Sequence, residues 1–233
     1  MKKLVYFFGG GTADGSADMK NLLGGKGANL AEMNHLGIPV PPGFTITTDV
    51  CQHYYNYNHN LPNELGTQVK KSIAKIEEIM GAGFGDTNNP LLVSIRSGAR
   101  QSMPGMMETV LNVGLTTQTI PGLIHSTNNE RFVYDAYRRL IMMYADVVME
   151  KASGMEPCEG EGIRQRMEKI LKEHKKEKKY SEDTDLTSGD LKTLISIFKN
   201  EIKNILGEEF PDNPTEQLWG SIKAVFQSWS GTR

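Results

Sequence analysis

Residues 22–33 read LLGGKGANLAEM, three glycines around one lysine at the mouth of a helical pattern. Gly24, Gly25 and Gly27 permit a tight turn whose amides face outward, the following helix adds the positive end of its dipole, and Lys26 adds a mobile ammonium. That chemistry suits an anion. At about 4 Å and an effective dielectric near 20, a lysine and one phosphate charge attract by about 4 kcal/mol before desolvation is subtracted. The run is not a Walker A loop, because Gly27 stands where a Ser or Thr would hold magnesium. A glycine turn beside a solvated lysine accounts for the same spacing. A second constellation, SIRSGARQSMPGMMETVLNVG (94–114), places Arg96 at the end of a strand pattern. A guanidinium there suits bidentate phosphate recognition, and a rim ion pair is its plainer use. Within the same run Arg100 reads as structural. Pro104 and Gly105, flanked by Met103, Met106 and Met107, predict a loop that folds over a ligand with adaptable thioethers or fills gaps in a core.

Other clusters carry less. GGGTADGS (9–16) and GAGFGDTNNP (81–90) fit no phosphate-binding spacing and read as turns. The five histidines show no metal spacing, and none is assigned chemistry. Cys51 and Cys158 form no paired motif, so buried or half-buried thiols are expected rather than a disulfide or a zinc site. The KKEKK run near 175–179 reads as a solvated helix face, since Glu173, Glu177, Glu182 and Asp183 offset it. In EPCEGEG (156–162) the acidic residues would attract a cation or form a flexible loop.

The elements that must position these groups follow from periodicity. In the first half LVYFF (4–8), FTIT (44–47), LLVSIR (91–96) and TVLNV (109–113) predict strands, with parallel pairing expected because helices separate them. Ala28, Leu30, Ala31, Met33 and Leu36 predict a helix stopped by Gly37, and Leu65, Val69, Ile73, Ile76 and Met80 a longer one. From about Pro121 the pattern is helical: stripes run through Val133–Val148, Ile163–His174 and Leu191–Ile205. Thr187 with Asp190 predicts a capping box, Gly207 a left-handed stop, and Asn213-Pro214 the start of a last amphipathic helix that includes Trp219 and Trp229. Boundaries at 1–118, 119–206 and 207–233 follow, for a mixed α/β part, a helical subdomain and a helix returning to pack on the first part. The fold class is α+β.

With 233 residues, 38% hydrophobic content and a net charge of −2, the chain can bury a substantial core. Near-neutral charge leaves no electrostatic footprint for nucleic acid. No apolar run reaches the roughly 20 residues of a membrane helix, and the N-terminus does not read as a signal peptide, so a cytoplasmic location with no membrane partner is expected. The chain stops at SGTR without a closing strand, which predicts a piece of something longer.

The blocks NLLGGKGANLAEMNHLGIPVPPGFTITT, PLLVSIRSGARQSMPGMMETVLNVGL and NERFVYDAYRRLIMMYADVV together resemble the N-terminal, nucleotide-binding part of pyruvate, phosphate dikinases. The resemblance implies the first lobe of an ATP-grasp type fold with an inserted helical subdomain. It implies that Lys26 and Arg96 grip the phosphates of ATP, with Gly25, Gly27, Met103, Gly105 and Glu108 as weaker candidates for the surrounding loops. The implied reaction converts ATP, orthophosphate and pyruvate reversibly into AMP, pyrophosphate and phosphoenolpyruvate through a phosphohistidine on a swivelling domain. That domain, the pyruvate-binding domain and most ligands of Mg would lie outside this chain, as parts of a homodimeric full-length enzyme, and the chain alone would be inactive. Two alternatives are a pyruvate, water dikinase and a non-catalytic helical interaction module.

Overall fold

The computed structural model describes residues 2–98 and 109–229. Two compact units share them: residues 2–83, 97–98 and 229 form one, and residues 84–96 and 109–228 the other.

The first unit is built on a small antiparallel sheet. Strand β1 (Val5–Gly9) pairs with β2 (Thr12–Ala13) and with β3 (Gly43–Ile46), in the order β2-β1-β3. Gly9, Gly10 and Gly11 all have positive φ, which lets the chain reverse between β1 and β2. This reversal corrects the expected parallel pairing. After it, helix α1 (Lys20–His35) crosses from β2 to a β3 that runs alongside β2 in direction but on the far side of β1, so both neighbours of β1 are antiparallel to it. Helix α2 (Thr48–Asn56) follows, then α3 (Leu65–Met80), which ends in left-handed Gly81. Gln68 of α3 serves β1 directly: its Oε1 accepts from the amides of Leu4 and Val5 at 2.8 and 3.1 Å. The core comprises Val5, Phe7 and Phe8 of β1 with Leu23, Ala28, Ala31, Val50, Tyr54, Leu65, Val69 and Ile76 from the helices.

Met33, Leu36 and Met80, expected on buried faces, are exposed. The buried stripe of α1 runs instead through Leu23, Gly24, Gly27, Ala28, Ala31 and Asn34. Small side chains there allow close approach: a Cβ on Gly27 would meet the Thr45 side chain of β3 at 2.7 Å.

In the second unit the two-residue strands β4 (Gly83–Phe84), where the chain enters it, and β5 (Pro90–Leu91) pair, and β6 (Val93–Arg96) runs antiparallel to β7 (Thr109–Val113). The register slips between Val93↔Val113 and Ile95↔Val110, and Asn112 takes φ 59° within that bulge. Among the described residues five α-helices follow: α4 (Ile120–Thr127), α5 (Glu130–Tyr144), α6 (Ile163–Lys178), α7 (Ser188–Leu206) and α8 (Pro214–Ser228). Helix α5 runs on into a π-helical turn over Ala145–Lys151, which turns Asp146 and Glu150 inward and leaves Val148, the last residue of the predicted stripe, only half-buried. Glu150 answers its burial by accepting from the Ile163 amide at 2.8 Å, capping α6 from outside. Asp146 pairs with Lys151 at 2.8 Å.

The predicted caps of this unit are present. Thr187 and Asp190 form the reciprocal box at the head of α7, Gly207 closes it at φ 77°, and Asn213 Oδ1 accepts from the amides of Thr215 and Glu216. Phe198, Leu140, Leu191, Leu194, Ile163 and Met167 fill the interior. Buried Gln217 of α8 ties the helix to the strand region: it accepts from the Gly114 amide at 3.0 Å and donates to the carbonyls of Leu115 and Pro211 at 3.1 and 2.9 Å. Of the two thiols Cys51 is buried, whereas Cys158 is exposed, against expectation, because it lies in the solvated 156–162 loop.

Candidate functional site

Helix α1 is two helices in series. Gly24 has φ 68° and ψ 170°, a conformation open in practice to glycine alone, and it interrupts the helical run after Leu23. The segment that restarts at Gly25 runs to His35. A helix that restarts in this way begins a new N-terminus inside a longer helical run, and the first-turn amides of a helix start have no partner in their own segment. The break puts the positive dipole end at the glycines the sequence singled out.

Several contacts hold the break in place. Gly24 is buried, and a Cβ there would lie 1.6 Å from the carbonyl oxygen of Gly98, so the backbone of the SIRSG run rests directly on it. Just upstream, Thr48 at the start of α2 donates its hydroxyl to the Asn21 carbonyl at 2.8 Å. Gly27 packs on Thr45 of β3. At the other end of α1, His35 Nε2 meets the Gly15 carbonyl at 2.8 Å, and Glu32 accepts from the Ala17 amide at 3.2 Å. The turn is therefore anchored before and after while Lys26 itself projects into solvent. It forms no ion pair among the described residues.

Arg96 is the last residue of β6, exposed, and likewise without an ion pair among the described residues. The bulge in β7 does not disturb its own pairing with Thr109. Lys26, Gly25 and Gly27 belong to the first unit and Arg96 to the second. Met103, Gly105 and Glu108, with Arg100, lie outside the described residues.

Neither of two surface hollows includes a residue predicted for the site. One of about 520 Å³ is lined by His53, Tyr57, Asn60 and Glu64 among others. The second, of about 560 Å³, lies along α6 by Lys172, Lys176 and Tyr180. Among the described residues no group of three or more His, Cys, Asp or Glu side chains is placed to hold a metal ion. No helix is long and apolar enough to cross a membrane.

Three partners of the site were not legible in the sequence: Thr48, Gly98 and Trp229. Trp229 donates its indole N–H to Ser97 Oγ at 2.8 Å, across 132 positions of chain. Serine and tryptophan carry no spacing signal at such a separation, and the sequence pattern assigns Trp229 only to an apolar helix face.

Helix α1 is thus interrupted at Gly24, and the segment that restarts carries on its first turn an exposed Lys26 without an ion pair among the described residues. A family profile described as "Pyruvate phosphate dikinase, AMP/ATP-binding domain" covers residues 20–233, and the chain belongs to that family. It is 50% identical over its whole length to a pyruvate, phosphate dikinase of Clostridium symbiosum and 48% identical to that of Rhizobium meliloti (strain 1021). Over 98% of the chain it is 45% identical to pyruvate, phosphate dikinase 2 of Zea mays. The chain spans about a quarter of the length of each of these relatives, 25% in all three.

Proposed function

We propose that the chain is the N-terminal ATP-handling part of a pyruvate, phosphate dikinase, forming the first lobe of an ATP-grasp type domain with the helical subdomain of residues 119–206 as its insertion. The observation that carries this reading is the helix restart at Gly24–Gly25, with an exposed lysine on its first turn that forms no ion pair among the described residues, in a chain of the AMP/ATP-binding family. Lys26 and the amides of Gly25 and Gly27 bind phosphate oxygens of ATP, and Arg96 binds them through its guanidinium.

Phosphoryl transfer asks a protein chiefly to align phosphates and to offset the charge spreading over their oxygens. Lys26 supplies a point charge that follows the phosphates as they move, the glycine amides supply fixed dipoles, and Arg96 supplies a planar fork that fixes orientation. In the complete enzyme the phosphoryl group then passes to a histidine outside this chain and on to pyruvate, in a cytoplasmic homodimer. Magnesium offsets phosphate charge in such reactions. Most of its ligands belong to parts of the enzyme outside this chain.

The test is Lys26→Ala and Arg96→Ala in the full-length enzyme that carries this chain, followed by single-turnover labelling of the carrier histidine from labelled ATP. Each change should slow labelling by about 10²-fold or more. Wild-type labelling rates in both variants would remove these residues from the mechanism. Turnover that requires added orthophosphate distinguishes this reaction from that of a pyruvate, water dikinase.

A further inference from the structure

At the break a peptide carbonyl lies in the space a side chain on Gly24 would fill. That carbonyl belongs to Gly98, and the adjoining residue, Ser97, is only 6% exposed. Its hydroxyl accepts the indole N–H of Trp229 at 2.8 Å. An indole N–H has one donor and no acceptor capacity, so it fixes the direction from which Ser97 is held. Ser97 is buried and Trp229 half-buried, so water does not readily replace the bond on the serine side.

We propose that Trp229 is a positioning residue for the phosphate-binding turn, acting through Ser97 and Gly98 to keep Gly24 out of helical conformation and so to keep the Gly25, Lys26 and Gly27 amides free. The chain of contacts is short. Trp229 holds Ser97, the next peptide places the Gly98 oxygen on Gly24, and the occupied space forbids the rotation that would let α1 run straight through. Were α1 continuous, the amides of Gly25 to Gly27 would bond to carbonyls of the preceding turn and be lost to a ligand. Trp229 touches no ATP atom in this account. The inference rests on the proposed phosphate-binding reading for its consequence, though not for its geometry.

The experiment is nitrogen-correlated NMR of the chain, wild type against Trp229→Phe and Ser97→Ala, first alone and then titrated with ATP. Trp229→Phe keeps an aromatic ring without its donor, and Ser97→Ala removes a single oxygen, so the second keeps the test decisive where the first fails to fold. In both variants the amide resonances of Gly24 to Gly27 should move before nucleotide is added, while resonances of α5 to α7 stay in place. The apparent Kd for ATP should rise about tenfold. Wild-type positions for Gly24 to Gly27 in the variants overturn the proposal. If those resonances move but the wild-type turn does not respond to millimolar ATP, the positioning role stands and the phosphate-binding reading fails.

Discussion

Replacing each glycine of the GGKG turn by alanine separates backbone necessity from helix propensity. At Gly24 the added Cβ meets two obstacles. Its φ of 68° with ψ 170° lies in a region essentially closed to L-residues, a cost of about 1–3 kcal/mol, and the Gly98 oxygen at 1.6 Å and carbonyl carbon at 2.8 Å are backbone atoms that cannot rotate away. Relief requires displacement of the whole peptide, which overpacked sites suffer at about 1–3 kcal/mol, so Gly24→Ala should destabilise the first unit by about 3–4 kcal/mol. At Gly27 the Cβ would meet only side-chain atoms of Thr45, with Oγ1 and Cγ2 at 2.7 Å, and about 1–2 kcal/mol is expected. Gly25 has no atom within 4 Å of a built Cβ and no positive φ. Alanine there should be neutral or stabilising by up to about 1 kcal/mol, because glycine loses more backbone freedom on folding. The assay is urea unfolding in a Trp219→Phe background, followed by the emission of Trp229, which belongs to the same unit as the turn. Equal midpoints for the Gly24 and Gly25 variants would refute the account of the break. The ranking Gly24, Gly27, Gly25 is more diagnostic than any one value, since a general sensitivity of α1 to substitution would not produce it.

Three further outcomes follow from the second unit and the thiols. Asp190 accepts hydrogen bonds from Thr187, His174 and Tyr180, which hold its carboxyl well below the usual carboxylate range, with Thr187 the largest cause. A depressed folded value means that this contribution is complete above the unfolded pKa near 4 and is lost as pH falls from there toward the folded value. Urea midpoints measured at pH 5 and pH 3 should therefore fall further in wild type than in Asp190→Asn, and equal falls would contradict the assignment. Gln217→Leu strands the Gly114 amide and two carbonyls in the interior, and a loss of about 3 kcal/mol is expected by chemical denaturation. Burial pushes the Cys51 thiol up to about 11, so iodoacetamide at pH 8 should alkylate Cys158 and spare Cys51, as peptide mass mapping can check.

Much of this molecule is local, and the sequence determines what is local. The caps at Thr187, Gly207 and Asn213, the strand runs of β1, β3 and β7, and the apolar stripes of α5, α6 and α7 depend on residues within a few positions of one another, whose periodicity survives without knowledge of the fold. The motif around Lys26 was legible for the same reason, as glycines and a helix start lie in one short run. What the sequence could not determine was set by partners far along the chain. The antiparallel order of β1 and β3 depends on a two-residue return strand too short to leave a pattern. The exposed faces of Met33 and Leu36 depend on which side of α1 reaches the sheet, and small residues at Gly27, Ala28 and Ala31 won that side by allowing closer approach than larger apolar ones. The break at Gly24 belongs to this second class: three glycines permit it, and the carbonyl that occupies the space beside the one that bends comes from position 98, next to a serine whose hydroxyl accepts from an indole at position 229.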